Sequence, residues 1–590
     1  MSVIRATLTT MGAGTATTDL SAELQRLFGF ERFRPGQREA IEGTLSGRDV
    51  LAIMPTGSGK SLCYQLPALL GEGVTLVVSP LIALMQDQSA ALRAGGHEDV
   101  EMIASIMTGE QVGVALARIA AGRARLVYVA PERFSSRRFL DAIGQANVDR
   151  LAIDEAHCLS EWGHDFRPDY LRLSDVRKRL GSPATLALTA TATPRVARDI
   201  VSALELRDPV MARTGFDRPN LFLEVLHVAG EAGKPRMLLA HLKDRKRLPA
   251  VVYCGRRKTC EQVAAHLLGD GISAAPYHAG LPAHERTATL QQFLAGELEA
   301  VAATTAFGMG IDKADVRSVV HWTIPSSPEE YYQQAGRAGR DGAPAVCTLL
   351  YTAADKGLIA YFIDRAKLTE AQLRSVHALL AANADPSGVF RVSESDVPAD
   401  DPRVAVAVLE RAGALELFPA RSGAFSGRLA EPSLSRRHSA AAMVAMKRQQ
   451  NLRWDRLKAI DRYAAGDGCR RAALLGYFGD TPAPRPDELC CDNHGTRARS
   501  PLQVDEREAV LQCVEETRGA VGRTRLTQIL RGGRARDLLA AGHHKLDSHA
   551  RLAHRNEAQV LEVIDRLIAD GTLVKTDGRY PVVRRAPAGE

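Results

Sequence analysis

The sequence predicts an α/β protein, with two parallel-sheet domains in tandem followed by mainly helical modules. Three observations lead there. From about residue 20 to 350, short β-branched runs alternate with amphipathic stretches. The runs are apolar from end to end, as strands covered by helices on both faces must be. At 590 residues the chain is also too long for one hydrophobic core.

Residues 1–18 are rich in Thr, Ala and Gly, contain no acid, and read as a disordered lead-in. The strand candidates that follow are "TLVVSP" (75–80), "RLVYVA" (125–130), "RLAID" (150–154), "TLALTAT" (185–191), "AVVYCG" (250–255), "AVAATT" (300–305) and "SVVHW" (318–322). The stretch "RDPVMARTGFDRPN" (207–220) has turn residues and little periodicity, so the domains are set at 19–210 and 211–365. Two later segments echo each other: "VLERAGALEL" (408–417) and "VIDRLIADGTLVK" (563–575) both run an apolar helix into a Gly stop and then a strand. In the second, Val560, Ile564, Leu567 and Ile568 share one face, and Asp577-Gly578 supplies a hairpin turn. Helix then hairpin is the shape of a winged helix, expected in 366–430 and in 498–590, although any helix-to-strand connection uses such a Gly.

With 45% hydrophobic and 25% charged residues the composition is that of a soluble globular protein. A net charge of +7 suits a polyanion partner without deciding for one. No stretch approaches a membrane span, and a cytoplasmic protein, nucleoid-associated if bacterial, without membrane contacts and acting as a monomer is expected. Of nine cysteines, those at 63, 158, 254, 260, 347 and 513 are scattered and read as reduced thiols, while the rest gather near 490.

"PTGSGKS" (55–61) carries the first chemistry. Glycines let the backbone amides of Thr56, Gly57, Ser58 and Gly59 turn toward phosphate oxygens, Lys60 neutralises the β and γ phosphates, and Ser61 can hold Mg²⁺. The strict pattern asks for Gly where this chain has Met54. "LAIDEAHCL" (151–159) carries the second. A strand delivers Asp154 to hold Mg²⁺ through its waters, Glu155 to orient the attacking water, and His157 to report nucleotide state. Either motif alone would tolerate a structural reading, a bare glycine turn or a buried ion pair; together they point to a nucleoside triphosphatase.

At this point the chain resembles the RecQ family of DNA helicases, within helicase superfamily two, over most of 25–350. "FGFERFRPGQREAI" (28–41) is similar to the family's adenine-reading motif, with Gln37 on the base edge and Arg34 nearby. Met at position 54 is usual in that family. "SPLIALMQDQ" (79–88), "YVAPER" (128–133) and "LTATAT" (188–193) resemble the motifs that line the DNA strand and couple it to the nucleotide. "CLSEWGHDFRPDY" (158–170) resembles the family's aromatic-rich loop, in which Trp162, His164, Phe166 and Arg167 are suited to single-stranded bases. "TTAFGMGIDKADVRSVVHW" (304–322) and "YYQQAGRAGRDG" (331–342) resemble the last two helicase motifs. The resemblance implies two RecA-like lobes closing on ATP. Arg337 and Arg340 then approach the γ phosphate, with Arg340 as the finger, Asp312 at the same interface, and Gln333 or Gln334 positioning water or bridging the lobes.

"CRRAALLGYFGD" (469–480) and "ELCCDNH" (488–494) resemble the RecQ zinc subdomain, expected within 431–497. Cys469, Cys491 and His494 align with it; the fourth ligand is Glu488 or Cys490, and a degenerate site without Zn²⁺ is the other reading. Residues 526–552 and the later winged-helix candidate resemble the DNA-binding RQC domain, where Tyr580 near a short hairpin tip either wedges between base pairs or packs on its own domain. Residues 366–430 do not match the common layout and read as an insertion.

The implied activity is ATP-dependent, 3′-to-5′ translocation on single-stranded DNA with unwinding of duplex DNA, in repair or recombination. A DNA-dependent translocase that strips proteins without separating strands is the alternative. A metabolic P-loop kinase gives no role to Arg340 or to the aromatic loop.

Overall fold

The computed structural model describes residues 19–586 apart from 105, 161–166, 229, 309–312, 353, 366, 419–422, 484–488, 495–503, 534, 554, 556, 570 and 577–580. Seven short strands form the first sheet: β1 (Val50–Ile53), β2 (Val74–Val78), β3 (Val100–Ile103), β4 (Leu126–Val129), β5 (Val148–Ile153), β6 (Ala184–Thr189) and β7 (Val210–Arg213). They run in the order β3-β4-β2-β5-β6-β1-β7, every pair parallel. Both faces are covered. Leu51, Ile53, Leu76 and Val78 point into one core and Val50, Ala52 and Val77 into the other, so neither strand face could be polar. The order places the carboxyl ends of β5, β6 and β1 side by side.

The second sheet comprises β8 (Leu221–His227), β9 (Ala250–Tyr253), β10 (Ala274–Tyr277), β11 (Ala300–Ala303), β12 (Ser318–His321) and β13 (Ala345–Tyr351). Its order is β10-β11-β9-β12-β13-β8, again all parallel. The sequence reading ended the first domain at 210, yet β7 pairs with β1 through Arg213, so the first sheet extends past that boundary. The signal was weak because β7 is an edge strand, half exposed and only four residues long.

Beyond the second sheet, a small module has its own core. Helix Glu370–Ala382 starts in a capping box made by Thr369 and Gln372. It is followed by β14 (Val389–Ser393), helix Pro402–Arg411, β15 (Leu415–Phe418) and β16 (Ala424–Leu429), with antiparallel order β14-β16-β15. Phe390, Val406, Leu409 and Leu415 fill its interior. A Cβ at Gly427 would lie 2.8 Å from the Phe390 ring, so the sheet closes over that ring only with glycine there.

The 30-residue helix Arg436–Ala465 then runs from this module to the second lobe. Its Ala442 and Met446 belong to the module's core, and its Leu457, Ile460 and Tyr463 to the large core of the lobes. Helix Arg470–Tyr477 and the segment 489–494 complete the docked region. The last part of the chain packs helices Val504–Glu516, Arg523–Leu530 and Glu557–Ala569 against the ribbon β17 (Leu573–Lys575) and β18 (Val583–Arg585), with Val560, Ile564 and Leu567 buried as their shared face requires. No helix among the described residues is long and apolar enough to cross a membrane.

Candidate active site and metal centre

β1 ends at Ile53 and hands the chain to the turn that carries Lys60, after which Ser61 opens helix Leu62–Leu70. Gly57 and Gly59 sit at φ of 82° and 76°, which side-chain-bearing residues rarely adopt. The turn is braced from the helix Gln37–Leu45. Gln37 is buried; its Oε1 accepts the Arg34 N–H at 2.8 Å, and its Nε2 donates to the carbonyls of Ser58 (2.9 Å) and Gly59 (3.0 Å). The Arg34 guanidinium donates to the Gly57 carbonyl. Gln37, expected on the adenine edge, and Arg34, expected nearby, are therefore both engaged on the phosphate turn in this structure.

Lys60 donates weakly to the carbonyls of Met54 (3.3 Å) and Pro55 (3.4 Å). Burial pushes its ammonium below the usual lysine range, the neighbouring Glu155 and Asp154 oppose this, and Arg340 adds to it. Asp154, at the end of β5, is shifted upward, first by burial and then by Glu155 beside it, with Lys60 opposing. A buried lysine beside two carboxylates is a setting that a triphosphate and its divalent ion would neutralise. The hydroxyls of Thr56 and Ser58 are buried without a hydrogen-bond partner, as are Nε and Nη1 of Arg337. Unmet buried donors of this kind are costly unless a ligand satisfies them.

Glu155 holds a left-handed conformation (φ 49°, ψ 45°), a strain of about 1–3 kcal/mol of the sort kept at working sites. The turn it makes aims His157 at the next strand. His157 Nδ1 lies 3.0 Å from Thr189 Oγ1 at the end of β6 and 3.3 Å from Glu155 Oε2. Glu155 and the "LTATAT" segment thus both lie against one imidazole nitrogen.

The second lobe completes the seam. Gly336 approaches so closely that a Cβ there would lie 3.2 Å from Thr56 Cβ. A Cβ on Gly57 would meet Arg340 Cγ at 3.2 Å, so the Arg340 side chain lies on the phosphate turn itself. Arg337 is buried nearby within its own lobe. Gln334 is spent inside the second lobe on His321 Nε2 (2.9 Å) and on Glu330 (3.0 Å), which does not favour a bridge between lobes.

Sequence reasoning missed Arg218. From the linker it donates Nη1 to the carbonyls of Thr56 (3.2 Å) and Gly336 (3.0 Å), and Nη2 to those of Ala338 and Gly339 (2.9 Å each). One guanidinium thus ties the phosphate turn to the turn that bears both arginines. The only signal was an Arg inside a stretch otherwise taken for a linker.

Of the expected DNA contacts, Arg167 is described: its N–H bonds to the Cys158 carbonyl at 3.0 Å, closing the base of the loop, and its Nη1 donates to the Pro80 carbonyl at 3.3 Å. Trp162, His164, Phe166 and Tyr580 lie outside the described residues, as do Asp312 and Glu488.

The thiols of Cys469, Cys490 and Cys491 converge with the His494 imidazole, their ligand atoms all within 4.8 Å of one another. Adjacent residues thus both reach the cluster, which sequence spacing alone could not decide. Cys469 caps helix Arg470–Tyr477, its sulfur accepting the Ala472 N–H at 3.3 Å; the Cys491 sulfur accepts the Arg470 N–H at 3.3 Å. Burial alone would raise the Cys469 thiol, but the Ala472 N–H, His494 and Cys490 outweigh it and bring it down to about 7. Amide donors aimed at sulfur, with three soft ligands and an imidazole at this spacing, fit a tetrahedral metal ion. The loop is itself part of the second lobe: Cys491 bridges Leu223 of the edge strand β8, and Asp492 accepts the Val225 N–H at 3.0 Å.

Four family models match the chain: DEAD/DEAH box helicase over 34–200, helicase conserved C-terminal domain over 233–342, RecQ zinc-binding over 435–495 and RQC domain over 504–590. The chain is 35% identical over 483 residues to "Probable ATP-dependent DNA helicase RecS" of Bacillus subtilis, covering 81% of this chain and 92% of that one. It is 32% identical over 564 residues to "ATP-dependent DNA helicase RecQ" of the same organism, covering 95% and 81%. "ATP-dependent DNA helicase RecQ" of Pasteurella multocida is 44% identical over 333 residues, 56% of this chain and 52% of that one.

Proposed function

Since the chain belongs to the RecQ family of ATP-dependent DNA helicases, we propose that it couples ATP hydrolysis between its two lobes to 3′-to-5′ movement along one DNA strand and displacement of the other. The observation that carries this reading is the seam. Arg340 of the second lobe lies on Gly57 of the first and is felt electrostatically by Lys60, while Arg218 locks the two turns together.

In this reading the amides of 56–59 and the Lys60 ammonium bind the phosphates. Arg340 faces charge that develops on the transferred phosphoryl group, and buried Arg337 supports it. Glu155, held by its strained turn, orients the attacking water. Ser61 and Asp154 would hold Mg²⁺, which would supply positive charge against the negative charge of the phosphates. Arg34 and Gln37 release the phosphate turn to meet the adenine. His157 passes the state of Glu155 to Thr189, and so to the strand-lining segments. Alternate closing and opening of lobes that both hold the strand turns hydrolysis into stepping. Cys469, Cys490, Cys491 and His494 would hold Zn²⁺, whose chemistry here is structural.

Unwinding of a duplex with a 3′ single-stranded tail, compared with a 5′ tail, tests the reading. Tail-dependent strand displacement that needs ATP and vanishes in Lys60→Ala, with DNA binding kept, is expected. DNA-stimulated hydrolysis without displacement on either tail would leave a translocase in its place.

A further inference from the structure

Residues 343–434 fall between the second and third matched family models, which end at 342 and begin at 435. The small module between Glu370 and Leu429 therefore needs its own explanation. Its order of helix, strand, helix and two-stranded ribbon is one that elsewhere lays its last helix into a nucleic-acid groove. Here that helix is turned inward. Ala405, Val406, Ala407, Val408 and Leu409 are buried in succession, leaving no face for a groove. Within 366–430 acidic side chains also slightly outnumber basic ones, against the sign of the whole chain.

What the module does touch is the first lobe. Arg172 Nη2 donates to the Leu417 carbonyl of β15 at 3.2 Å, and the Glu410 carboxylate lies 3.7 Å from the same nitrogen. Glu410 also accepts the Leu417 N–H at 3.0 Å, so both ends of that residue's peptide links are held. Arg172 stands between helices Pro168–Leu171 and Leu173–Arg179, in the stem that follows the aromatic-rich segment. Two residues earlier, the buried Tyr170 donates its hydroxyl to the Asp154 carbonyl at 3.1 Å. From module to metal-facing acid is therefore a short, continuous path. The module is also attached to the second lobe, through the helix Arg436–Ala465, whose Tyr463 hydroxyl meets that of Tyr331 at 3.0 Å. The contact at Arg172 is thus made across the lobes, in the arrangement that brings Arg340 onto Gly57.

We propose that the inserted module is a strut between the lobes that holds the stem of the DNA-coupling segment, with Arg172 and Glu410 as positioning residues for DNA-stimulated hydrolysis. The proposal rests on the DNA-motor reading above. A hydrogen bond from a charged donor to the Leu417 carbonyl, beside an ion pair between side chains about a third exposed, shifts the ratio of braced to unbraced stem by roughly fivefold. DNA binding acts through that stem, whereas unstimulated hydrolysis does not depend on it.

The test is ATP turnover of the full chain with and without single-stranded DNA, titrated to saturation. In Arg172→Ala and in Glu410→Gln the stimulated rate falls, or the DNA concentration for half-stimulation rises, by roughly fivefold, while basal turnover and melting temperature stay at the parent values. Arg172→Lys, which keeps a donor for the Leu417 carbonyl, recovers part of the loss, and the double variant is no worse than either single one. Undiminished stimulation in a folded Arg172→Ala, or additive losses in the double variant, would overturn the strut alone. A parent protein that DNA fails to stimulate would overturn the motor reading and the strut with it.

Discussion

Replacing Arg218 by Ala removes four hydrogen bonds at once, three to the turn Gly336–Gly339 and one to Thr56. A hydrogen bond from a charged donor contributes about 1.5–3 kcal/mol in a dry site. The side chain is half-buried, so water can re-satisfy some of the carbonyls, and about 3 kcal/mol is a fair total for the loss. If that loss falls on the closed, reacting arrangement it lowers turnover by about two orders of magnitude. Displacement of the arginine-bearing turn by about 1 Å would alone do as much. Arg218→Lys should recover little, because an ammonium cannot serve two pairs of carbonyls in one plane. The assay is DNA-stimulated ATP turnover beside thermal unfolding, to separate loss of geometry from loss of fold. Turnover within threefold of the parent in Arg218→Ala would refute the idea that this guanidinium sets the seam.

Arg340→Ala should lower kcat by about 10³-fold or more while a fluorescent ATP analogue still binds; a loss below tenfold would remove it from the finger's role. Cys491→Ser should reduce zinc measured by elemental analysis and lower the melting temperature, and a full complement of zinc in that variant would exclude Cys491 as a ligand. Glu224 gives a pH dependence. Burial alone would raise its carboxyl, yet His241, Thr348 and Arg247 outweigh burial and hold it below the usual range. A depressed carboxyl stabilises the fold above its unfolded value and loses that contribution as pH falls through the native one. The melting temperature should therefore drop more steeply on acidification below about pH 4.5 in the parent than in Glu224→Gln, and parallel curves would contradict this.

The parts legible in the sequence are those whose signal is local. An apolar run such as "RLAID" must be a covered strand, and the acid at its end must sit at a carboxyl edge of the sheet. The same holds for Gly57 and Gly59, whose positive φ needs glycine. What stayed hidden acts across distance. Arg218 meets carbonyls more than a hundred residues later in the chain, and its neighbours carry turn residues that disguise it as linker. β7 is too short and exposed to announce its sheet. The choice between Glu488 and Cys490 could not come from spacing, since a loop can bring adjacent thiols to one point only if its backbone is pinned, here by the pairing of Cys491 with Leu223.

That pinning links the metal loop to the seam. Arg471, two residues after the candidate ligand Cys469, donates to Asp217 and to the carbonyls of Arg218 and Leu221. Asp480 accepts the Phe216 N–H at 2.6 Å, and the rings of Phe216 and Phe478 stack with centroids 4.5 Å apart. The linker that presents Arg218 is therefore clamped by the helix that Cys469 caps. A metal ion at the four ligands would fix the start of that helix relative to β8, so its removal should loosen Arg218 before it unfolds either sheet. Chelation followed by return of excess Mg²⁺ alone would then lower DNA-stimulated turnover at temperatures where both lobes remain folded. Loss of activity only at the unfolding transition itself would show that the clamp holds without the ion.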